Sequence, residues 1–264
     1  LVNHAHGWSR QIARGLAALL PEAVSRAFIA RVMERHPNSV LQAVGPLLNR
    51  RPDLDRMPID LPVEGGLQFE HLAGLFASTS LDHGVISMTV RQTAYLFGLV
   101  RRLAARTAIE IGRYKGGSTL TIAAAMKLAG GGRLWSVDVG EKEARLRSEG
   151  HRSYDQQIAD ICRRFGFDVK LFVGDSRTVE IDSGPVDLVF IDGDHSYEGV
   201  RSDYERFGRR ARIGGALLFD DAFDEPLFRT HSDSVGRLVG EIEREGSFKL
   251  VKTVDRLAHL ERVR

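Results

Sequence analysis

From Val85 onward the apolar positions fall into a repeating order. Met88, Gln92, Tyr95, Leu96, Leu99, Val100 and Leu103 share one helical face, with Arg91, Arg101, Arg102 and Arg106 mostly off it. That is the three- and four-residue step of an amphipathic helix. Short apolar runs then alternate with helical patterns. The expected strands are 108–112, 133–138, 169–173, 186–192 and 216–220, and the expected helices are 118–128, about 143–165, 196–207 and 234–245. Runs such as LVFID and ALLFD are apolar on both faces, as in parallel strands covered by helices on either side. The rhythm predicts a doubly wound, Rossmann-like α/β domain. Two closing runs, 248–254 and 257–263, are separated only by Asp255 and Arg256. They predict an antiparallel hairpin at the sheet edge.

The first 84 residues lack this alternation and form the other part of a two-part chain, a helical extension preceding a domain over 85–264. Ile12, Leu16, Leu19, Leu20, Val24, Ala27, Phe28 and Val32 recur mostly at helical steps, with Pro21 as a break or kink. Residues 1–51 carry seven Arg and two Glu, so this amphipathic stretch could lie on a membrane surface, pack on a partner, or dock on its own domain. Such an extension suits a homo-oligomer or a cover over an acceptor site. Prolines 46, 52, 58 and 62 with Gly45, Gly65 and Gly66 read as a linker.

Composition narrows the classes. Hydrophobic residues at 43% and charged residues at 27% suit a globular chain rather than a disordered one. No apolar run reaches the roughly 18 residues of a membrane span, and Arg10 and Arg14 interrupt any secretory-type apolar core. One cysteine, Cys162, leaves neither a disulfide framework nor a cysteine zinc site, and the expected compartment is the cytoplasm. A net charge of +2 gives no argument for nucleic acid.

The chemistry sits where strands end. In AIEIGRYKGGSTLTIAAAM the first strand closes on Glu110 and Gly112, and Gly116, Gly117 and Ser118 lead into a helix whose free N–H groups suit an anion. Tyr114 stands where a dinucleotide fingerprint needs glycine, and no Gly-Lys-Ser/Thr closes a P-loop. Glu110 would repel a pyrophosphate but suit a cationic amine or sulfonium. Asp138, at the end of the second strand, is placed to accept both ribose hydroxyls, and Asp175, in the VGDS turn after the third, to reach an adenine. Together these residues describe S-adenosylmethionine.

EIGRYKGGST, WSVD, VGDS and VDLVFIDGDHSYEGV resemble a class I S-adenosylmethionine-dependent methyltransferase. They are most similar to the metal-dependent macrolide-sugar O-methyltransferases, and more distantly to catechol O-methyltransferase. The resemblance covers about 85–264 and is absent from the first 84 residues. It implies a mostly parallel seven-stranded sheet with a reversed final strand, and cofactor contacts at Glu110, Gly112, Gly116, Gly117, Ser118, Asp138, Asp175 and Ser176. Arg113 and Lys115 depart from the smaller or neutral residues of the catechol branch.

Strand four ends in FIDGDH and strand five in LLFDD. As parallel neighbours they would bring Asp192 beside Asp220 and Asp221, roughly 5 Å apart at the strand ends. Three gathered carboxylates repel unless protonated or joined by a cation, and Mg²⁺ is the expected hard divalent ion. The alternative is that Asp194 and Asp221 cap helices and Asp220 pairs with an arginine. His195 starts the next helix and is the expected general base, acting on an acceptor hydroxyl held by the metal. The resemblance places a His there in the sugar branch and a Lys in the catechol branch. The implied reaction is O-methylation of a small-molecule vicinal diol. The segment 140–154 is expected as a mobile lid, and the polar stretch GEKEARLRSEGHRSYDQQ favours a sugar or other polyhydroxyl over a catechol. A short-chain NAD oxidoreductase would want Tyr-x-x-x-Lys, which the chain lacks. A non-catalytic, methyltransferase-like binding protein would have no need of the acidic cluster with His195.

Overall fold

The computed structural model describes residue 86 and residues 88–140, 153–223 and 231–264. The expected N-terminal helix, linker and domain boundary lie outside these residues, as does nearly all of the stretch read as a lid. Helix α1 (Val90–Arg102) starts five residues later than the periodicity predicts. Thr89 caps it by accepting from Gln92 N, and the Gln92 side chain accepts in turn from Thr89 N. This reciprocal pair satisfies two end donors that a longer helix would have left internal.

The strands are β1 (Thr107–Ile111), β2 (Arg133–Asp138), β3 (Asp168–Val173), β4 (Val186–Ile191), β5 (Ala211–Phe219), β6 (Phe248–Val254) and β7 (Leu257–Arg262). They form one seven-stranded sheet in the order β3-β2-β1-β4-β5-β7-β6. β1 to β5 are parallel, and β7 is antiparallel to both β5 and β6. The closing hairpin lies at the sheet edge, as expected. Its second strand pairs with β5, and its first, β6, is the sheet edge opposite β3.

Helix α2 (Gly117–Leu128) follows β1, and α3 (Tyr154–Phe165) follows the undescribed 141–152. Ser153 is extended and accepts from Gln156 N as the α3 cap, so no helix continues unbroken from 143. α4 (Tyr197–Arg206) follows β4, and α5 (Arg237–Glu245) follows a π-helical turn at Ser232–Gly236.

Strand alternation divides the core into two layers. Ala108, Leu188, Phe190 and Leu218 face Leu96, Leu99, Leu120 and Ile158. Ile109, Val189, Ile191 and Phe219 face Val200, Tyr204, Leu238 and Ile242 on the other side. Both faces of β1, β4 and β5 are thus buried, which the apolar runs anticipated. β5 begins at Ala211 rather than 216. The Gly214-Gly215 pair sits in a register shift against β4 between Val186 and Leu188. Gly214 has φ +72°, and a Cβ on Gly215 would lie 3.0 Å from the Asp187 carbonyl oxygen. The pair is a bulge inside a strand.

Candidate active site

All strand-end residues named from the sequence lie along the carboxyl edge of the parallel strands, but they form two differently built halves. Around the glycine loop the side chains turn inward. Glu110 is fully buried, and its carboxylate accepts from Ser118 Oγ at 2.5 Å, Thr119 Oγ1 at 2.6 Å and Ser136 Oγ at 2.5 Å. Burial raises its pKa against those three hydrogen bonds. Glu110 and the Ser118 hydroxyl therefore brace α2 against β1 and β2 instead of projecting toward a ligand.

Asp138, half-buried at the end of β2, receives Arg113 N at 2.9 Å and Tyr114 N at 2.8 Å on one oxygen and Gly140 N at 2.7 Å on the other. A carboxylate offers about four acceptor positions, so this one shapes the loop and retains capacity. Beside it Val139 is 58% exposed, an apolar surface the sequence reading did not single out.

Arg113 accounts for its departure from the family pattern. Its guanidinium is buried, forks onto both oxygens of Asp155 at 2.8 and 2.9 Å, and donates to Ser136 O. It ties the loop to α3 and β2. Lys115 is also buried, with its ammonium 5.3 Å from the Tyr114 ring and 5.9 Å from that of Tyr154. Gly116, with φ +86°, caps α2 without any side chain, leaving the first turn of a twelve-residue helix uncapped. A Cβ there would overlap Ile158 Cδ1 at 2.3 Å.

Asp175 and Ser176 follow β3. Arg177 grips the Asp175 carboxylate through Nε and Nη2 and holds its pKa down to about 2. Ser176 hydrogen-bonds Asp203, a buried residue of α4 that sequence reasoning missed. The Asp203 Oδ1 has no hydrogen-bond partner, and burial lifts the pKa to about 6.

The second half lies at the ends of β4 and β5. Gly112, with φ +88°, allows it to form: a Cβ there would stand 2.0 Å from the Asp192 carbonyl oxygen. The structure brings Asp192, His195, Asp220 and Asp221 together, yet each carboxylate already has a protein partner. His195 Nε2 donates to Asp192 Oδ1 at 3.2 Å. Gln92 Nε2 of α1 donates to Asp220 Oδ1 at 2.7 Å. Arg256 Nη1, from the β6–β7 turn, lies 2.7 Å from Asp221 Oδ1. These partners relieve part of the repulsion for which protonation or a cation was expected. An arginine does contribute, but it pairs with Asp221 rather than Asp220.

Charge strain nonetheless persists. Burial, then the charges of Asp192 and Asp221, push Asp220 up to about 7, and burial also raises Asp192. Burial opposes the His195 imidazolium, but its hydrogen bond to Asp192 and the charges of Asp192, Asp221 and Asp220 win, so its pKa is raised. Asp194 turns away from the cluster and accepts from Ser196 N at 2.9 Å. Ser234 Oγ donates to His195 O at 2.6 Å and fixes that backbone.

His231, unremarked in the sequence, stacks on His195 with centroids 4.4 Å apart and planes 7° from parallel. One donor atom each from His195, Asp221 and His231 lies within 4.8 Å of the others. Imidazole nitrogen and carboxylate oxygen are the donor types that a divalent cation accepts.

The sheet order and strand-end site define a Rossmann-like methyltransferase fold. Residues 109–222 match the model of a family described as a methyltransferase domain. The chain is 26% identical over 145 residues to an uncharacterized protein of Acanthamoeba polyphaga mimivirus, and the match spans 52% of this chain and 61% of that relative's length. Among solved structures, the chain is similar to the O-methyltransferase TomG from Streptomyces achromogenes, involved in tomaymycin synthesis and solved with SAM. The TM-score is 0.51 at 19% identity, covering 67% of this chain and 82% of TomG. Cofactor-bound Rv0187 from MTB gives 0.51 at 22%, covering 67% and 82%. The SAH-bound methyltransferase PaMTH1 of Podospora anserina gives 0.51 at 16%, covering 68% and 81%. At these identities the structural likeness is one of fold. No helix of the described residues is long and apolar enough to cross a membrane.

Proposed function

We propose that the chain is an S-adenosylmethionine-dependent O-methyltransferase that acts, with a divalent cation, on a vicinal-diol hydroxyl of a sugar or other polyhydroxyl small molecule. The observation that carries this reading is the Asp192–His195 pair at the strand end adjoining the glycine loop, within a stretch that matches a methyltransferase domain. When bound, the cofactor supplies an electrophilic methyl group, and the cation, commonly Mg²⁺, lowers the pKa of a coordinated hydroxyl.

The chain's own residues supply the rest. The uncapped first turn of α2 faces a carboxylate with free N–H groups. Asp138 accepts from a ribose hydroxyl with its remaining acceptor position, Val139 gives the base an apolar surface, and the Asp175–Ser176 turn lies toward the base. Because His195 Nε2 donates to Asp192, Nδ1 carries the lone pair and takes the acceptor proton. Asp192 and Asp221, with Asp220 behind them held by Gln92, would hold the cation.

The test is methyl transfer from radiolabelled S-adenosylmethionine to a panel of glycosides, polyols and catechols, with and without chelator. Transfer to a polyhydroxyl acceptor that chelation abolishes is expected. Transfer confined to catechols would overturn the acceptor class, undiminished transfer in excess chelator the cation, and no transfer to any acceptor the enzyme.

A further inference from the structure

We infer that His231 is a metal ligand, so that the cation site is a mixed nitrogen and oxygen site suited to a borderline divalent transition ion of the Fe²⁺, Co²⁺ or Zn²⁺ class more than to Mg²⁺. This rests on the proposed reading that a cation serves the acceptor end. An oxygen-only set of Asp192, Asp220 and Asp221 would suit Mg²⁺, but each of these carboxylates has one oxygen engaged by a protein group. Asp220 is buried and bonded to Gln92 Nε2 at 2.7 Å, and one oxygen of Asp221 faces Arg256 Nη1 at 2.7 Å. Oδ2 of Asp221 remains, directed to the imidazole side, 3.8 Å from His195 Nε2.

The two imidazoles differ in what they have left to give. His195 Nε2 is engaged by Asp192. The ring of His231 stacks on His195 and makes no hydrogen bond to any other described residue, although one of its nitrogens lies within 4.8 Å of donor atoms of both Asp221 and His195. Its backbone is held against the site, with His231 N donating to Asp221 O at 3.3 Å and Val235 N donating to His231 O at 2.7 Å. An exposed imidazole with an anchored backbone, beside the Asp221 oxygen that Arg256 does not take, supplies nitrogen to a metal and leaves His195 Nδ1 for the acceptor proton. Imidazole ligation favours later first-row ions over Mg²⁺.

The experiment uses the chelator-stripped full chain. Mn²⁺ is the spectroscopic probe, read by electron spin echo modulation for directly bound nitrogen, and Co²⁺ and Mg²⁺ affinities are measured by calorimetry. The wild type should show nitrogen modulation, which His231→Asn should lose and His195→Asn should keep. His231→Asn should weaken Co²⁺ at least tenfold and Mg²⁺ less than threefold, with S-adenosylmethionine affinity unchanged in the same preparations. Absent modulation in the wild type, its survival in His231→Asn, or equal losses for Co²⁺ and Mg²⁺ would overturn the assignment. Metal binding without nitrogen defeats this inference and spares the cation reading, whereas no binding of any of the three ions defeats both.

Discussion

The two halves of the strand-end site use charge in opposite ways. At the glycine loop, charged side chains are spent on the protein itself. Glu110 braces three hydroxyls, Arg113 forks onto Asp155, and Asp138 holds loop amides. What faces outward is largely backbone N–H and one apolar side chain. At the ends of β4 and β5, side chains converge outward under mutual repulsion, and their protonation equilibria are displaced. A half built from backbone recognises a constant partner through a fixed shape. A half built from displaced side chains is suited to moving protons. The cofactor half should therefore fail through stability and affinity, and the acceptor half through rate.

The largest expected effect tests that division directly. His195→Ala should lower turnover by about 10²–10⁴-fold, the usual worth of a positioned general base, while leaving the melting temperature nearly unchanged. In the wild type the rate should rise with pH as His195 loses its proton. Because the neighbouring carboxylates raise its pKa, the limb should lie above the ordinary imidazole value of about 6.5, and the variant should lack it. A bound cation would push the value the other way. A limb below 6.5 that returns to higher pH on chelation would mean that the cation outweighs the carboxylates.

Arg113→Ala should do the reverse. It removes a fully buried guanidinium together with its fork onto Asp155 and its bond to Ser136 O and should cost about 3–5 kcal/mol of stability, as broken buried pairs do, measurable by urea unfolding. Arg113→Lys should recover only part, since an ammonium cannot fork onto both oxygens. Loss of turnover without loss of stability would place Arg113 in the chemistry and blur the two halves.

A smaller effect lies in the hairpin that carries Arg256. His259 of β7 is buried, with Nδ1 2.7 Å from Tyr95 Oη. Burial, then the charge of Arg102, lowers its pKa to about 4. Its unfolded form takes up a proton near 6.5, so stability falls as pH drops from about 6.5 to 4, by about 3 kcal/mol in all. The difference in unfolding free energy between wild type and His259→Gln should change over that window and be flat above it. A flat difference throughout would mean that His259 titrates normally.

Much of this was legible in the sequence because parallel strands buried on both faces advertise themselves as apolar runs, and because ligand residues collect at their carboxyl ends. β2 and β6 match their predicted ranges. The misses have physical causes. Gly214-Gly215 carries the local signal of a turn, and only pairing with β4 makes it a bulge. Glu110 and Asp175 end where expected, but whether a carboxylate faces a ligand depends on hydroxyls and guanidinium groups that tertiary packing delivers, such as Ser136 and Arg177. Gln92 reaches Asp220 across 128 residues of sequence, and Arg256 reaches Asp221 from a hairpin turn. No local spacing reveals either. His231 shares the chemistry of the acidic cluster but stands in no recognisable motif.

Calorimetric titration of S-adenosylmethionine into the wild type, Asp138→Ala and His195→Ala tests the central claim most directly, because it separates the two halves without an acceptor. The account predicts one site, competed by S-adenosylhomocysteine, weakened by about 1.5–3 kcal/mol in Asp138→Ala and unchanged in His195→Ala. Absence of binding to the wild type, or binding that survives Asp138→Ala and is lost in His195→Ala, would contradict it.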